Sequence, residues 1–374
     1  METLNLKESS EVSFLLGAGF SKPLCYPIGR DLNKKMLGFN KGTGTFSLDG
    51  TLVSGEPINS WISNPYQERF GRCIRLIQEA KEGFDYEEFF DTIKKEWERN
   101  EEYRNLEEVY QQMVAHCICD ENQKCWYEDD PTVKGDYFKP YAQFLNILQK
   151  FAKNGLVHVH TLNHDLVFEG FRKTEQLSEK ISDGFTLDGS CYYGKYKAED
   201  ESKNIQLRYY TGRYDTSIRF YKLHGSIDQV FFMENTDSVM VPKKCVKIRK
   251  GVGYGGLEKR DSAGGIVRSP FETHANFLTG KTTKERYYKD PVLYSKLFDR
   301  FKCNLCLSNK LIVIGYGFKD KTINEMVTEY FKHSSRQVYI VDPCPSEKVK
   351  EFARNLNAKI IQKSVEQIKE DEFE

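Results

Sequence analysis

The last third of the chain alternates short apolar runs with amphipathic segments, and this alternation restricts the possible folds more than any other feature. LIVIGYG begins at Leu311, QVYIVD begins at Gln337 and AKIIQ begins at Ala358, and a helix-like pattern fills each gap. Parallel strands need a crossover connection, which is usually a helix, so this order predicts a parallel sheet with helices on both faces. We therefore predict an α/β fold with a doubly wound, mostly parallel sheet.

Earlier apolar runs extend this pattern toward the N-terminus. Residues 12–16 predict a short buried strand, and LVHVHTLN at residues 156–163 predicts a second one directly after an amphipathic helix. QLRYY at residues 206–210 and RFYKLH at residues 219–224 are two further strand candidates. The doubly wound sheet is therefore expected to collect strands from most of the chain.

Two stretches depart from the alternation, and we predict that they are insertions into a single domain of residues 1–374. Residues 41–135 form an all-helical insertion, because three segments between residues 64 and 117 place apolar residues three or four apart. Residues 233–290 form a second inserted segment. Its residues 243–268 are basic and rich in glycine, which predicts a mobile loop.

Composition restricts the possible binding partners of the chain and the cellular compartment in which it is expected. The 55 basic and 55 acidic residues give no net charge, so nothing attracts the whole chain to nucleic acid or to an anionic membrane. No apolar stretch approaches the length of a membrane span, and the first residues lack the pattern of a signal peptide. The ten cysteines are scattered, which favours reduced thiols in a cytoplasmic protein.

Small residues follow the first predicted strand. In a doubly wound sheet, ligands bind beyond the carboxyl ends of the strands. Gly17, Ala18 and Gly19 would let the backbone approach a phosphate, the next helix start offers N–H groups, and Ser21 adds a hydroxyl. Lys22 stands where the third glycine of G-x-G-x-x-G would be, so a tight turn without a ligand is the alternative.

The second and third strands end in groups suited to proton transfer. Asn163 and Asp165 follow Thr161, and together they could hold a polar ligand and a water molecule; the alternative is a helix cap. His224 comes just past a strand and before Gly225, where it could act as a general base. The alternative is a structural histidine whose hydrogen bonds are satisfied within the core or a turn.

The last two sites follow the same rule. Gly315-Tyr316-Gly317 offers another close backbone approach, and the carboxylate of Asp342 could accept hydrogen bonds from ribose hydroxyls. Each of the five strand ends has a purely structural explanation. Their coincidence at one edge of the predicted sheet nevertheless favours a ligand site.

Taken in order, these segments resemble the sirtuin family, and more closely the bacterial sirtuin-like proteins of antiphage defence. GAGFSKPLCYPIGR is similar to the sirtuin segment G-A-G-x-S-x-x-x-G-I-P-D-F-R, TLNHD is similar to T-Q-N-x-D, and KLHGS contains the sirtuin H-G. VIGYGF stands where sirtuins carry G-T-S, and VD stands near their final-strand contact with ribose and adenine. The similarity spans residues 11 to about 345.

The resemblance implies a Rossmann-like sirtuin fold that binds NAD as a substrate. It implies that Asn163 and Asp165 flank the nicotinamide ribose and that His224 is the base, which makes these three the candidate catalytic residues. It makes Arg30 the counterpart of the arginine in the first sirtuin loop, and it places Asp342 at the adenine-side ribose. The complete set of implied NAD-binding residues is Gly17, Ala18, Gly19, Ser21, Arg30, Thr161, Gly315, Tyr316 and Asp342.

Two departures from the sirtuin pattern change the expected chemistry. Ile28 and Gly29 replace an Asp-Phe pair, so the ring that shields the reacting sugar is missing, which favours hydrolysis over transfer to an acyl-lysine. Deacylase sirtuins also hold zinc with two C-x-x-C pairs, whereas here only Cys303 and Cys306 have that spacing, with Cys245 far away. We expect no zinc site, and we expect Cys303 and Cys306 to be buried neighbours on one helix face.

The leading hypothesis from the sequence is therefore an NAD+ hydrolase that depletes NAD during phage infection, with cyclisation of part of the NAD left open. The resemblance also implies a homo-oligomer that pairs with a HerA-like hexameric ATPase. The first alternative is a subunit that senses NAD or ADP-ribose without turnover. Nucleic-acid binding through the basic segment that begins at Lys243 ranks third, and a protein deacylase ranks last.

Overall fold

The computed structural model describes most of the chain. The described residues are 11–40, 44–46, 52–53, 64–119, 133–198, 201–236, 239–249, 251–267, 271–272, 274–280, 292–332 and 335–374. Among the helices in these ranges, none is both long and apolar enough to cross a membrane.

Strands and helices are numbered separately along the described residues. The strands are β1 (Val12–Leu16), β2 (Thr45–Phe46), β3 (Leu52–Val53), β4 (Val157–Thr161), β5 (Ile181–Ser182), β6 (Gly184–Thr186), β7 (Tyr192–Ala198), β8 (Glu201–Gln206), β9 (Arg208–Arg213), β10 (Ile218–Lys222), β11 (Gln229–Thr236), β12 (Val239–Lys247), β13 (Val252–Arg260), β14 (Ile266–Val267), β15 (Lys310–Ile314), β16 (Gln337–Val341) and β17 (Lys359–Ile361). The α-helices are α1 (Gly29–Leu37), α2 (Pro65–Ala80), α3 (Tyr86–Glu96), α4 (Glu107–Ile118), α5 (Ala142–Asn154), α6 (Val167–Gly170), α7 (Tyr294–Leu307), α8 (Lys321–Phe331) and α9 (Glu347–Leu356).

A seven-stranded sheet forms the centre of the fold, in the order β17-β16-β15-β1-β4-β10-β5. All its pairings are parallel. The chain runs outward from β1 through β4 to β10, and it later runs the other way from β15 through β16 to β17. This reversal makes the crevice between β1 and β15 the topological switch point, where ligands bind in such sheets. The predicted doubly wound parallel α/β fold is confirmed.

Side chains of β1 alternate between two cores, one on each face of the sheet. Phe14 and Leu16 belong to one cluster, which also contains Phe144 of α5. Leu15 belongs to the other, together with Phe301 of α7. Because helices cover both faces, the strand is apolar at nearly every position, and this is why its sequence is a continuous apolar run.

The first insertion is not all-helical as expected. It contains α2, α3 and α4, but β2 and β3 pair in an antiparallel ladder within it. The side chain of Gln67 accepts a hydrogen bond from the Phe46 backbone N–H (2.8 Å), and that of Gln112 accepts one from the Leu52 N–H (3.0 Å). These contacts to helix side chains stabilise a ladder too short to persist alone.

The predicted mobile loop at residues 243–268 is wrong where the structure describes it. Those residues belong largely to β12, β13 and β14, in two four-stranded antiparallel sheets with the orders β11-β12-β9-β6 and β14-β13-β7-β8. The lysines have partners that the sequence does not reveal: Lys259 Nζ lies 4.6 Å from the centre of the Phe232 ring. The boundaries of both insertions stay a prediction.

A buried histidine in the central sheet gives a pH-dependent stability. His160 Nδ1 lies 3.1 Å from the Phe14 carbonyl oxygen, and Nε2 lies 3.0 Å from Asn304 Nδ2. The carbonyl only accepts, so Nδ1 donates to it and Nε2 accepts from the Asn304 amide, which fixes a neutral ring. Burial holds the pKa of His160 well below its usual range.

We expect this histidine to destabilise the fold in acid. The ring stays neutral when folded and gains a proton when unfolded, so stability is complete above the ordinary pKa of about 6.5 and falls below it. The free energy of unfolding should fall in both proteins when the pH is lowered from 7.5 to 5.5. The decrease should be smaller in His160→Gln than in the wild type, by about 1.4 kcal/mol. Urea unfolding at both pH values measures this, and equal losses in the two proteins would contradict it.

Candidate functional site

The predicted site residues follow adjacent strands at the carboxyl edge of the central sheet. Thr161 pairs with Lys222, so Asn163 and His224 each lie two residues beyond the same paired position. Leu16 pairs with both Thr161 and Ile314, which places the glycine turns after β1 and β15 side by side. Asp342 follows β16, which is four strand spacings of about 4.8 Å from β10, so the edge spans about 19 Å.

Asn163 connects the ends of β4 and β1. Its Nδ2 donates to the Gly17 carbonyl (2.9 Å) and to Ser21 Oγ (3.0 Å), and its backbone N–H donates to Thr161 Oγ1 (3.1 Å). The Gly17 carbonyl only accepts, so the nitrogen of the side-chain amide must face it. Both amide hydrogens are therefore used to hold the turn, and Oδ1 is the atom of this side chain suited to accept from a ligand hydroxyl or a water.

The glycines after β1 and β15 pack against each other. Gly19 N–H donates to the Gly315 carbonyl (2.9 Å), and a Cβ on Gly17 would lie 2.6 Å from the Tyr316 Cα. Gly315 itself has φ of +64°. The two backbones approach so closely that side chains at these glycines would clash. This contact joins distant segments, so no local sequence pattern reveals it. Ala18 is exposed and Gly19 half-buried, so this turn also borders solvent at the crevice.

Gly315→Ala should destabilise the protein by at least about 2 kcal/mol. An L-residue is strained at this φ, and the new Cβ would lie 2.5 Å from the Gly19 carbonyl carbon. Gly71→Ala is the control: Gly71 lies inside α2, where a new Cβ would meet no described atom beyond its own helix within 4 Å, and the change should stabilise by about 0.5–1 kcal/mol. Urea unfolding of both variants tests this; equal stabilities would contradict the packing argument.

Asp165 and Lys222 hold the loop after β4. Asp165 Oδ1 accepts from the Val167 N–H (3.0 Å) in a turn just before α6, whose N-cap residue is Leu166. Lys222 Nζ donates to the Asp165 backbone carbonyl and lies 3.3 Å from Glu169 Oε1. Burial raises the pKa of the Asp165 carboxyl, and the Lys222 charge opposes that shift. These contacts fix the loop that carries Asn163.

A buried ionic cluster continues from this loop into the antiparallel sheet. Lys247 Nζ of β12 lies 3.5 Å from Glu169 Oε1, 3.0 Å from Asp183 Oδ2 and 3.5 Å from Asp228 Oδ2. Asp183 also pairs with Arg172 and Arg208. Despite burial, Lys247 and these two arginines hold the pKa of its carboxyl well below the usual range. The sequence does not show this cluster, because its members lie on separate elements.

His224 is buried at the end of β10. Its backbone carbonyl accepts from the Leu278 N–H (2.7 Å), and its Nε2 lies 3.3 Å from Asp320 Oδ2. Asp320 was missed in the sequence. The only signal was an Asp directly before the helical pattern of α8, which indicates a helix cap rather than a partner for a histidine.

The remaining predicted residues lie nearer the periphery. The Tyr316 side chain points away from the crevice, because its hydroxyl donates to Asn324 Oδ1 (3.0 Å); burial raises its pKa well above the usual range. The Tyr316 backbone and Cβ therefore border the glycine turns, whereas its hydroxyl does not. Asp342 is half-buried and accepts from the Cys344 N–H (2.9 Å), and Arg30 is exposed in the first turn of α1.

The cysteines of the C-x-x-C segment are not buried as expected. Cys303 and Cys306 are both exposed on α7. The buried face of α7 instead carries Leu297, Phe301 and Asn304, and the two cysteines lie outside it. Among the described residues, no group of three or more histidine, cysteine or acidic side chains is arranged to hold a metal ion.

Comparison with known proteins identifies a family match over the second half of the chain. A family model described as a SIR2-like domain matches residues 157–362, which is more than half of the chain. No curated protein matches. A solved structure described as a Sir2 homologue–NAD complex is 11% identical, with 97% of this chain and 88% of the other covered and a TM-score of 0.39. Another, described as the structural basis for the mechanism and regulation of Sir2 enzymes, is 10% identical, with 96% and 89% covered and a TM-score of 0.40. Both structures are too distant to add to the family match.

Proposed function

Because the chain belongs to the SIR2-like domain family, we propose that it binds NAD+ in the crevice between β1 and β15 and hydrolyses it to nicotinamide and ADP-ribose. One observation carries the proposal: Asn163 and His224 lie two residues beyond equivalent positions of the neighbouring strands β4 and β10, and β4 adjoins β1 at the switch point. A hydrogen-bond acceptor and a potential base thus lie next to the turns that would receive the pyrophosphate.

The reaction is a substitution at C1′ of the nicotinamide ribose. The bond from C1′ to the nicotinamide nitrogen breaks, and its electron pair leaves with neutral nicotinamide. The oxygen of a water forms the new bond to C1′, and a proton from that water passes to His224, directly or through a ribose hydroxyl. Oδ1 of Asn163 orients the water or a ribose hydroxyl, because its amide nitrogen is already engaged with Gly17 and Ser21.

The segment after the glycine turn favours water over an acyl-lysine as the acceptor. Gly29 opens α1 without a side chain, where the sirtuin pattern has a phenylalanine that shields the sugar. This replacement of phenylalanine by Gly29 is also one of the sequence differences from the deacylase pattern. Water can therefore approach C1′ from the side that the ring would cover.

The products decide between hydrolase, deacylase and sensor. The purified protein is incubated with NAD+, with and without an acetylated peptide, and nicotinamide, ADP-ribose and acetyl-ADP-ribose are measured by mass spectrometry. We expect equal amounts of nicotinamide and ADP-ribose whether or not the peptide is present. Acetyl-ADP-ribose with loss of the peptide's acetyl group would indicate a deacylase, and NAD+ binding without products would favour the sensor.

The biological role that we propose is depletion of NAD in a phage-infected cell, by a homo-oligomer that a HerA-like hexameric ATPase accompanies. The support for this part is the sequence resemblance described above. Cells that express the wild type should lose NAD after infection and release fewer phages, whereas cells that express His224→Ala should keep their NAD. Light scattering of the purified protein, alone and with such an ATPase, tests the assembly.

A further inference from the structure

The carboxylate of Asp320 lies beside the imidazole of His224, although the two are far apart in the chain. Asp320 Oδ2 is 3.3 Å from His224 Nε2. Only 4% of the His224 side chain and 13% of the Asp320 side chain are exposed. Water competes weakly for groups at this depth, so their mutual orientation is set by the protein.

One hydrogen bond orients the Asp320 carboxylate, and two more hold the backbone beside it. Its Oδ1 accepts from the Ile323 N–H (3.1 Å), and its backbone N–H donates to the Tyr316 hydroxyl (3.2 Å). That hydroxyl in turn donates to Asn324 Oδ1 (3.0 Å). One carboxylate oxygen thus caps α8 while the other faces His224. The N-terminus of α8 also favours the ionised carboxylate, because unpaired N–H groups concentrate positive charge there.

We propose that Asp320 is the positioning residue of His224: it keeps the proton of the neutral imidazole on Nε2 and stabilises the imidazolium that forms during the reaction. An ionised carboxylate can only accept a hydrogen bond, so its approach to within 3.3 Å of Nε2 favours the tautomer with the proton on Nε2 and the lone pair on Nδ1. The proton from the attacking water then passes to Nδ1, directly or through a ribose hydroxyl, and is released to solvent after ADP-ribose leaves. This inference rests on the proposed role of His224 as a base.

The competing explanation is that Asp320 only caps α8 and has no effect on His224. Substitutions distinguish these two roles. Asp320→Ser keeps an oxygen that can cap α8 but removes the carboxylate. Ser346→Ala is the matched control, because Ser346 caps α9 through the Val349 N–H (3.4 Å). We expect Asp320→Ser to stay folded with a small change in urea midpoint, and Ser346→Ala to lose a cap while keeping its activity.

The imidazole tautomer gives a measurement that needs no turnover. In ¹⁵N spectra of the seven histidines, the signals of His224 are those that disappear in His224→Ala. We expect the Nε2–H tautomer in the wild type and in Ser346→Ala, and a mixture of both tautomers in Asp320→Ser. An Nδ1–H tautomer in the wild type, or an unchanged Nε2–H signal in Asp320→Ser, would overturn the proposal.

The kinetics test the same pair in the reaction. Asp320→Ser should lower the kcat of NAD+ hydrolysis by about a hundredfold or more, with little change in KM, since Asp320 acts on the base rather than on substrate binding. An unchanged kcat would overturn the proposal. If the wild type does not hydrolyse NAD+, the proposed function fails, and the tautomer spectra still decide whether Asp320 positions His224.

Discussion

His224→Ala is expected to slow NAD+ hydrolysis by roughly a hundred- to ten-thousand-fold while leaving NAD+ binding nearly intact. In the proposed reaction the imidazole accepts a proton, whereas the groups proposed to bind the dinucleotide are the turns after β1 and β15 and Asp342. Nicotinamide release measures the rate, and isothermal titration with NAD+ measures the affinity. The loss should therefore appear in kcat rather than in the dissociation constant.

His116→Ala is the matched control for this experiment. His116 lies on α4 in the first insertion, where its ring contacts Phe39 with centres 5.8 Å apart. Its loss removes a half-buried imidazole that belongs to the first insertion rather than to a strand end of the central sheet. Similar rates for His224→Ala and the wild type, with both proteins folded, would show that His224 is not the base.

Asp183→Asn is expected to lower the free energy of unfolding by about 3–5 kcal/mol, the largest stability effect that we predict. The substitution keeps the shape of the side chain but removes the negative charge that faces Lys247 at 3.0 Å and Arg172 at 3.3 Å. Those cations would then be buried with less compensation. Burying an unpaired charge costs more than the ion pair itself contributes.

Urea unfolding at pH 7 measures this effect, with Asp188→Asn as the control because Asp188 is exposed on the same part of the chain. The low pKa of Asp183 also sets a pH range. The carboxylate contributes its full stability above its ordinary pKa of about 3.9, and that contribution is lost only as the pH falls below this value. A loss of less than about 1 kcal/mol in Asp183→Asn would show that the cluster does not stabilise the fold.

The central sheet could be predicted because its strands are buried on both faces. β1 and β15 are buried and largely apolar runs, and such runs are recognisable without knowledge of their neighbours. β4 is equally buried, although two of its five residues are histidines. The edge where ligands bind then follows from topology alone, since parallel strands end on the same side. This is why Asn163 and His224 could be placed near each other before their register was known.

The side-chain partners at that edge could not be predicted, because they depend on contacts between distant segments. Asp320 carries the local signal of a helix cap, and nothing nearby in the sequence indicates His224. Lys247 lies in a basic, glycine-rich segment whose composition is typical of a solvated loop. In the structure it is buried among Glu169, Asp183 and Asp228. The burial of a charged residue can be predicted only when its partners are known, and these partners lie on other elements.

The rate of nicotinamide release by Asn163→Ala beside the wild type tests the central claim most directly. Asn163 joins the β1 turn to the end of β4 through its Nδ2, and its Oδ1 is the acceptor in the proposed reaction. We predict equal amounts of nicotinamide and ADP-ribose from the wild type, and almost none from the folded variant. Equal turnover by the two proteins would contradict the assignment of NAD+ hydrolysis to this edge of the sheet.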